Sequence, residues 1–329
     1  MRKRLLKKIV EKIKESKSFL ITAHMNLEGD ALGSELATYI LLKKLKKRVV
    51  IYNNDPTPGI YKFLPFNRVI KNSIKEDKFD VAMVLDCSDA SRSGVVKDSL
   101  GKTGCIINID HHISNTNFGD INWVESSSSS AAQMLYYLCE KFKVMDKNIA
   151  MCLYTGIFTD TGNFTYANTD SQTHKIVSNL MKYNLHPHKT YEIIHSLCNP
   201  SDLHFIGEII SFLKFDPRRK ICWATITNWQ DKNYDLTEVV FSIMRLLKDP
   251  EVFLLFKKED KKKTRVNFRS RGRVDVNRIA KFFGGGGHKN ASGTTVEEPI
   301  EKAERKVVSF IKRYTNSLGR KKGKPRRIK

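Results

Sequence analysis

The sequence lacks the features that mark several classes of protein. None of its six cysteines belongs to a C-x-x-C pair, so we expect no zinc ribbon, but reduced thiols in a compartment such as the cytoplasm. No apolar run approaches the roughly 20 residues that span a bilayer. Residues 1–17 alternate apolar and charged side chains, which predicts an amphipathic helix and not a signal peptide. These absences predict a protein with no membrane partner.

Acidic residues are also scarce relative to basic ones. The chain of 329 residues has 35 Asp and Glu against 58 Lys and Arg, for a net charge of +23. Such an excess favours anionic partners such as nucleic acids and nucleotides. Residues 319–329 alone contain seven basic residues and no acidic one. Two interpretations of this basic tail stay open: a solvated chain end, or a segment that binds nucleic acid.

Apolar segments of strand length alternate with amphipathic helical segments in the first half of the chain. Residues 79–85 and 105–109 are continuous apolar runs, as expected for strands covered on both faces. This alternation predicts an α/β fold with a mainly parallel sheet. The second half predicts a second, smaller α/β domain. The predicted organisation is a first domain at 1–185, a linker at 186–205, a second domain at 206–318 and the basic tail at 319–329.

Four clusters of acidic and histidine residues lie in the first half. They are His24, Asn26, Glu28 and Asp30; Asp86; Asp110, His111 and His112; and Asp160. Three of the clusters follow strand-like segments, and the carboxyl ends of parallel strands meet at one edge of a sheet, where ligands bind. We therefore expect the clusters to converge. A simpler interpretation of the first cluster, in which Asp30 and Ser34 only cap a helix, stays open.

The chemistry of the clusters predicts a pair of divalent cations. Imidazole and carboxylate ligands without a thiolate suit Mn²⁺ or Mg²⁺ better than a structural zinc ion. A carboxylate that bridges two ions roughly 3.5–4 Å apart lets both ions stabilise the transition state of phosphoester hydrolysis. The clusters thus predict a two-metal phosphoesterase that needs no covalent intermediate.

The order of the motifs resembles that of the DHH phosphoesterases. The chain contains H-x-N-x-E-G-D-A-x-G-S from His24, D-x-x-D from Asp86, the D-H-H triplet from Asp110 and D-T-G from Asp160. The later segments R-S-R-G and G-G-G-G-H-x-x-A-S-G are similar to the DHH-associated C-terminal domain. The resemblance covers about residues 10–315. Within the superfamily, the chain resembles the NrnA-type oligoribonucleases and pAp phosphatases.

The resemblance implies roles for individual residues. The implied metal ligands are His24, Glu28, Asp30, Asp86, His111 and Asp160. Asp86 would bridge the two ions, and Asp110 and His112 would assist near the scissile phosphate. Glu28 stands where many relatives have Asp, so its role as a ligand is left open. In the second domain, the implied substrate-binding residues are Arg269, Ser270, Arg271, Gly286, Gly287, His288 and Asn290.

The function implied by the resemblance is Mn²⁺-dependent hydrolysis, with Mg²⁺ as the alternative metal. The expected substrates are short RNA or DNA oligonucleotides, pApA, or 3′-phosphoadenosine 5′-phosphate (pAp), and a homodimer is the family-level expectation. Alternatives within the enzyme class are a cyclic-dinucleotide phosphodiesterase, a RecJ-like single-strand exonuclease and a family II pyrophosphatase. A non-catalytic nucleic-acid-binding protein is the alternative from a different class.

Overall fold

The computed structural model describes residues 2–74, 78–196, 198–228, 236–271, 274–287 and 289–320, with side chains up to residue 315. The chain divides into two compact units, Met1–Ser196 (unit 1) and Leu197–Lys329 (unit 2). The division lies within the predicted linker, whose residues form a helix on each side of it. His288 and residues 321–329 of the basic tail lie outside the described residues.

Unit 1 contains seven helices and six strands within the described residues. In chain order they are α1 (Arg2–Glu15), β1 (Ser18–Thr22), α2 (Gly29–Lys44), β2 (Arg48–Tyr52), β3 (Ile70–Lys71), β4 (Val81–Leu85), α3 (Lys97–Leu100), β5 (Ile106–Asp110), β6 (Ile121–Val124), α4 (Ala131–Phe142), α5 (Lys147–Asp160), α6 (Ser171–Met181) and α7 (Pro187–His195). Short 3-10 helices lie at Gly59–Tyr61, Asn67–Val69 and Ala90–Val96.

The sheet of unit 1 has the strand order β3-β2-β1-β4-β5-β6. Every neighbouring pair is parallel. Beyond β1 the order changes direction, and such a switch point opens a crevice at the carboxyl ends of the strands. All residues of β1 and β4 are buried, as expected for strands covered on both faces. The predicted α/β fold with a mainly parallel sheet is confirmed.

Helices α2 and α5 pack closely because glycines remove side chains from their contact. A Cβ atom at Gly33 in α2 would lie 2.3 Å from the carbonyl oxygen of Cys152 in α5. A Cβ atom at Gly156 in α5 would lie 2.6 Å from the Cβ of Ala132 in α4. These contacts hold the amino end of α2, the amino end of α4 and the carboxyl end of α5 together.

Unit 2 contains four helices and six strands within the described residues. They are α8 (Pro200–Ser211), β7 (Lys214–Asp216), β8 (Ile221–Ile226), α9 (Thr237–Met244), β9 (Val252–Lys258), β10 (Thr264–Ser270), α10 (Val276–Phe282), β11 (Gly286–Gly287), β12 (Ala291–Val296) and α11 (Ile300–Arg320). Helix α11 extends into the first residues of the predicted basic tail. Among the described residues, no helix is both long and apolar enough to cross a bilayer.

The sheet of unit 2 has the order β11-β12-β10-β9-β8-β7. Its strand pairs are antiparallel except for β8 with β9. Alternate residues of β9 face opposite sides: Leu254 packs in one hydrophobic cluster with α10 and α11, and Phe253 packs in another with α8 and α9. Helices therefore cover both faces of this mixed sheet, and the predicted second, smaller α/β domain is confirmed.

Candidate metal centre

Loops at the carboxyl ends of β1, β4 and β5 position most of the predicted ligands. His24 lies just beyond β1, Asp86 directly follows β4, and His111 directly follows β5. Asp86 has φ of 49°, a left-handed conformation that is uncommon outside glycine and clusters at functional sites. Its backbone N–H still donates to the carbonyl of Ile109 at 2.9 Å, so the chain turns sharply where the strand ends.

The predicted ligands form three overlapping groups whose candidate ligand atoms lie within 4.8 Å of one another. The groups are His24, Glu28 and Asp86; Asp86, His111 and His112; and Asp30, His111 and Asp160. Each of the six predicted metal ligands belongs to at least one group, and Asp86 and His111 each belong to two. The structure therefore brings all six predicted ligands together.

The two carboxylate oxygens of Asp86 face different histidines. Oδ2 lies 3.5 Å from Nε2 of His24, and Oδ1 lies 3.5 Å from Nε2 of His111. His111 Nε2 is also 3.4 Å from Oδ2 of Asp160. Asp86 therefore has one oxygen toward His24 and the other toward His111, and a carboxylate in this position could contribute to a site for two cations.

Main-chain carbonyls orient the two histidine rings. Nδ1 of His24 lies 2.6 Å from the carbonyl oxygen of Met25, and Nδ1 of His111 lies 3.3 Å from that of Ser128. A ring that donates from Nδ1 to a carbonyl presents Nε2 to a metal, as is usual for metal-binding histidines. Both Nε2 atoms accordingly face the carboxylates.

Unsatisfied polar atoms in the cluster fit a bound cation. Nε2 of His24 and Oδ1 of Asp86 are buried and have no hydrogen-bond partner among the residues that the structure describes. An unsatisfied buried polar atom is costly, and coordination would remove that cost. The groups contain carboxylate oxygens and imidazole nitrogens without a cysteine, a donor set that suits Mn²⁺ and Mg²⁺.

Electrostatic repulsion within the cluster also favours a cation. Burial, together with the charge of Asp86, raises the pKa of Asp30 to about 7. Burial likewise raises the pKa of Asp160 well above its usual range. Burial opposes the charge on His111, but Asp160 and Asp86 outweigh it and hold the pKa of His111 well above normal. Without a cation the cluster therefore retains protons, which metal binding would displace.

Asp30 also holds the amino end of a second helix. Its Oδ2 and Oδ1 accept hydrogen bonds from the backbone N–H groups of Ala131 and Ala132 at 2.6 and 2.8 Å. These residues begin α4, whose N-cap is Ser130. The sequence predicted Asp30 at the start of α2, which is correct. Its contact with α4, which lies about a hundred residues further along the chain, could not be predicted from local spacing. Asp30 thus combines a structural contact with its place in the cluster.

A network of polar side chains supports the D-H-H triplet. Nδ1 of His112 lies 2.6 Å from Oδ1 of Asp110, while Nδ2 of Asn115 donates to Oδ2 of Asp110 at 2.6 Å and to Asn108 at 2.8 Å. Buried Asn108 in turn donates to the carbonyl oxygens of Val84 and Cys87. The two asparagines were not predicted, although both lie within the segment N-I-D-H-H-I-S-N.

The two predicted arginines of unit 2 already have partners in their own unit. Arg269 forms an ion pair with Glu238 and its guanidinium carbon lies 5.0 Å from the ring centre of Phe241. Arg271 donates to the carbonyl oxygens of Arg245 and Leu247, just beyond the end of α9. These arginines therefore contribute to the structure of unit 2.

Ser270 and Asn290 join neighbouring segments of unit 2. The backbone N–H of Ser270 donates to the carbonyl oxygen of Asn290 at 3.0 Å. The buried hydroxyl of Ser270 donates to the carbonyl oxygen of Val274 at 2.8 Å. The end of β10 and the segment before β12 are thereby held side by side.

Three of the four consecutive glycines are required by the fold. Gly284 and Gly287 have φ of 77° and 139°, and a Cβ at Gly285 would lie 2.2 Å from the carbonyl oxygen of Gly293. A Cβ at Gly286 would meet no atom within 4 Å. Gly286 is therefore the position where the fold itself would accept a side chain.

A parallel α/β unit with a His and carboxylate cluster at its strand ends, followed by a mixed-sheet unit, is an arrangement suited to a metal-dependent phosphoester hydrolase. The N-terminal domain of the DHH family matches residues 18–157, and the DHHA1 domain matches residues 220–317. Together with the relatives described next, these matches show that the chain belongs to the DHH family of phosphoesterases. The resemblance noted in the sequence is confirmed.

Similar proteins support the same placement along the whole chain. A protein of Thermus thermophilus named bifunctional oligoribonuclease and PAP phosphatase NrnA is 30% identical over 304 residues, 91% of this chain and 90% of that protein. The Bacillus subtilis protein of the same name is 26% identical, covering 85% and 89%. The crystal structure of an exopolyphosphatase-related protein from Bacteroides fragilis superposes with a TM-score of 0.88 at 25% identity, covering 96% and 98%.

Proposed function

We propose that this protein is an oligoribonuclease and pAp phosphatase, which hydrolyses short oligonucleotides and pAp to mononucleotides. The observation that carries the proposal is the shared carboxylate of Asp86, with one oxygen toward each of two ligand groups. The two relatives named for these activities match along most of their length. We also propose that the protein acts in a reducing compartment such as the cytoplasm, since all six cysteines are free thiols.

Two Mn²⁺ ions, or Mg²⁺ as the alternative, are the proposed cofactors. Asp86 would hold both ions, His24 and Glu28 would complete one group, and Asp30, His111 and Asp160 the other. Glu28 is the most exposed of these ligands, with half of its side chain open to solvent. When bound, the cations supply positive charge against the reacting phosphate and make water a stronger nucleophile at neutral pH.

His112 and Asp110 are the proposed residues of the protein nearest the scissile phosphate. Asp110 accepts the hydrogen bond of His112 Nδ1, so it would set the orientation of the imidazole and leave Nε2 available to the substrate. A carboxylate that orients a histidine in this way is a recurring element of hydrolytic sites. We assign Asp110 as a positioning residue and His112 as the substrate contact.

Unit 2 is the proposed binding site for the nucleotide and its terminal phosphate. The proposed contacts are Arg269, Ser270, Arg271, Gly286, Gly287, His288 and Asn290. The absence of any steric requirement for glycine at position 286 supports this assignment, because a bare backbone allows close approach of a phosphate. The predicted homodimer stays a prediction.

A side-by-side hydrolysis panel tests the proposed function. The metal-stripped protein receives Mn²⁺ or Mg²⁺, and product release is measured with pAp, pApA, cyclic di-AMP and RNA or DNA oligomers of 2 to about 24 nucleotides. We expect pAp and the shortest oligomers to be the best substrates, and Asp86→Ala to abolish their hydrolysis. The control Asp98→Ala changes an exposed carboxylate and should retain activity.

Three results would contradict the proposal. A preference for long single strands would indicate a RecJ-like exonuclease, and a preference for cyclic di-AMP would indicate a cyclic-dinucleotide phosphodiesterase. Nucleic-acid binding without metal-dependent turnover would indicate the non-catalytic class.

A further inference from the structure

Unit 2 has an aromatic stack at its surface to which the proposed function assigns no role. Phe282, the last residue of α10, stacks on Phe310 of α11 with ring centres 4.2 Å apart and planes 21° apart. Phe310 is in turn nearly parallel to Tyr314, at 13° and 6.3 Å. We call Phe282, Phe310 and Tyr314 the aromatic ladder.

The ladder is anchored in the core of its unit. Phe283 packs edge-on against Phe282 and against Phe310, with interplanar angles of 84° and 76°. Phe283, Phe310 and Tyr314 all pack against the hydrophobic cluster formed with α10 and α11. Such contacts restrict the rings, so the ladder has a defined geometry before any ligand binds.

Phe282 is the outer ring of the ladder. It is 66% exposed, and within the described part of the chain its ring contacts are with Phe283 and Phe310. An exposed aromatic ring with an ordered stack behind it leaves a planar apolar surface in water, on which another ring can stack. A further planar ring is the ligand that this surface accommodates best.

Two basic residues adjoin the ladder in the sequence. Lys281 precedes Phe282 and Arg313 precedes Tyr314; both are exposed and form no ion pair within the described ranges. By contrast, Glu304 on the same helix points to Lys214 and to the indole N–H of Trp223. Helix α11 also leads into the basic tail, with its seven basic residues. The charges therefore complement an anionic ligand.

We propose that the aromatic ladder is a base-stacking site for single-stranded oligonucleotides. One unpaired base stacks on Phe282, and Lys281 and Arg313 contact the flanking phosphates. Aromatic stacking combined with cationic contacts to the backbone is a common, sequence-tolerant way to bind single strands. The inference rests on the proposed function for its substrate class. It adds a binding site that distinguishes oligonucleotides from pAp, because pAp has no second base.

Binding to the full-length protein without turnover tests the ladder directly. Anisotropy of a labelled RNA hexamer is measured in EDTA, and kcat/KM for pAp is measured separately with Mn²⁺. Phe282→Ala should weaken hexamer binding roughly 5- to 150-fold, the range of one stacked base, and leave pAp hydrolysis unchanged. Phe282→Trp should bind as tightly as the natural protein, whereas Phe282→Leu should behave like Phe282→Ala.

One further variant is a control, and another tests the proposed phosphate contacts. Phe212 is 74% exposed and has no ring partner among the described residues, so Phe212→Ala removes an exposed ring without affecting the ladder and should bind the hexamer normally. The double variant Lys281→Gln with Arg313→Gln should reduce the slope of log affinity against log salt by roughly 1.4, about 0.7 for each phosphate contact to a single strand.

Several outcomes would overturn the ladder site. Phe282→Ala could bind the hexamer as the natural protein does, or Phe282→Leu could retain full affinity, which would show that stacking is not involved. Loss of a dimer in Phe282→Ala with unchanged hexamer binding would make this face an interface between copies.

If the natural protein binds the hexamer but hydrolyses neither hexamer nor pAp, the proposed function fails while the ladder site stands.

Discussion

The charged side chains of the two candidate sites differ in the partners that they have within their own unit. In unit 1, His24 and Asp86 are buried with ligand atoms that no hydrogen bond satisfies among the residues described. In unit 2, Arg269 and Arg271 use their guanidinium groups to bind Glu238 and the main chain beyond α9. The first cluster fits a bound cation, whereas both arginines of the second site have partners in their own unit, although Nε of Arg269 is also buried without a hydrogen bond among the residues described. Substitutions should therefore separate activity from stability in unit 1 more cleanly than in unit 2.

The largest expected effect separates two carboxylates of unit 1. Asp30→Asn and Asp160→Asn should each lower kcat/KM on the order of 100- to 1000-fold, because each removes the charge of a proposed metal ligand. In EDTA, only Asp30→Asn should also lower the free energy of unfolding, by roughly 1–3 kcal/mol, because an amide cannot accept from both Ala131 and Ala132. Activity assays and urea unfolding of both variants measure the two effects.

The Asp160 variant is the internal control for that comparison. Burial raises the pKa of Asp160 well above normal, so a neutral amide should be tolerated at this position in the metal-free protein. Equal losses of stability in both variants would show that the contact between Asp30 and α4 does not distinguish them.

A second prediction concerns pH. The carboxyl group of Asp30 has a pKa of about 7 in the folded protein, against an ordinary 3.8. The folded state thus holds a proton that the unfolded state loses, so this group stabilises the metal-free protein at low pH and its contribution is lost as the pH rises toward 7. Because cations displace that proton, metal affinity should increase from pH 6 to pH 8.

Calorimetry and thermal melts measure this pH effect. Titrations of Mn²⁺ in buffers with different ionisation enthalpies should reveal proton release, and the rise in Tm on adding Mn²⁺ should be larger at pH 8 than at pH 6. A metal affinity that does not change with pH would contradict the conclusion that the metal-free cluster holds protons.

The smallest expected effect compares two adjacent glycines in unit 2. Gly285→Ala should destabilise the unit by roughly 1–3 kcal/mol, because its Cβ would lie 2.2 Å from the carbonyl oxygen of Gly293. Gly286→Ala has open space and should change stability by no more than about 0.5 kcal/mol. If Gly286 contacts substrate, Gly286→Ala should instead raise KM for pAp several-fold. Denaturant unfolding with steady-state kinetics tests the pair, and an unchanged KM would remove Gly286 from the proposed site.

The sequence was sufficient for most of the fold because strands and helices are encoded by local periodicity. The strands β4 and β5 were predicted from apolar runs, and the structure places them side by side. Strand β6 was not predicted: its four residues alternate between buried and partly exposed, which is too short a pattern to distinguish from a loop. Parallel pairing with β5 makes this segment a strand.

For the site, the sequence by itself determined which residues meet. His24, Asp86 and His111 follow three strands, and the geometry of a parallel sheet brings the ends of its strands together. Only the tertiary structure decided that the two carboxylate oxygens of Asp86 face different histidines. The same is true of the contact between Asp30 and the start of α4, and of the stacking of Phe282 on Phe310. The physical reason is that these features depend on contacts between segments remote in sequence, formed by packing that local periodicity does not specify.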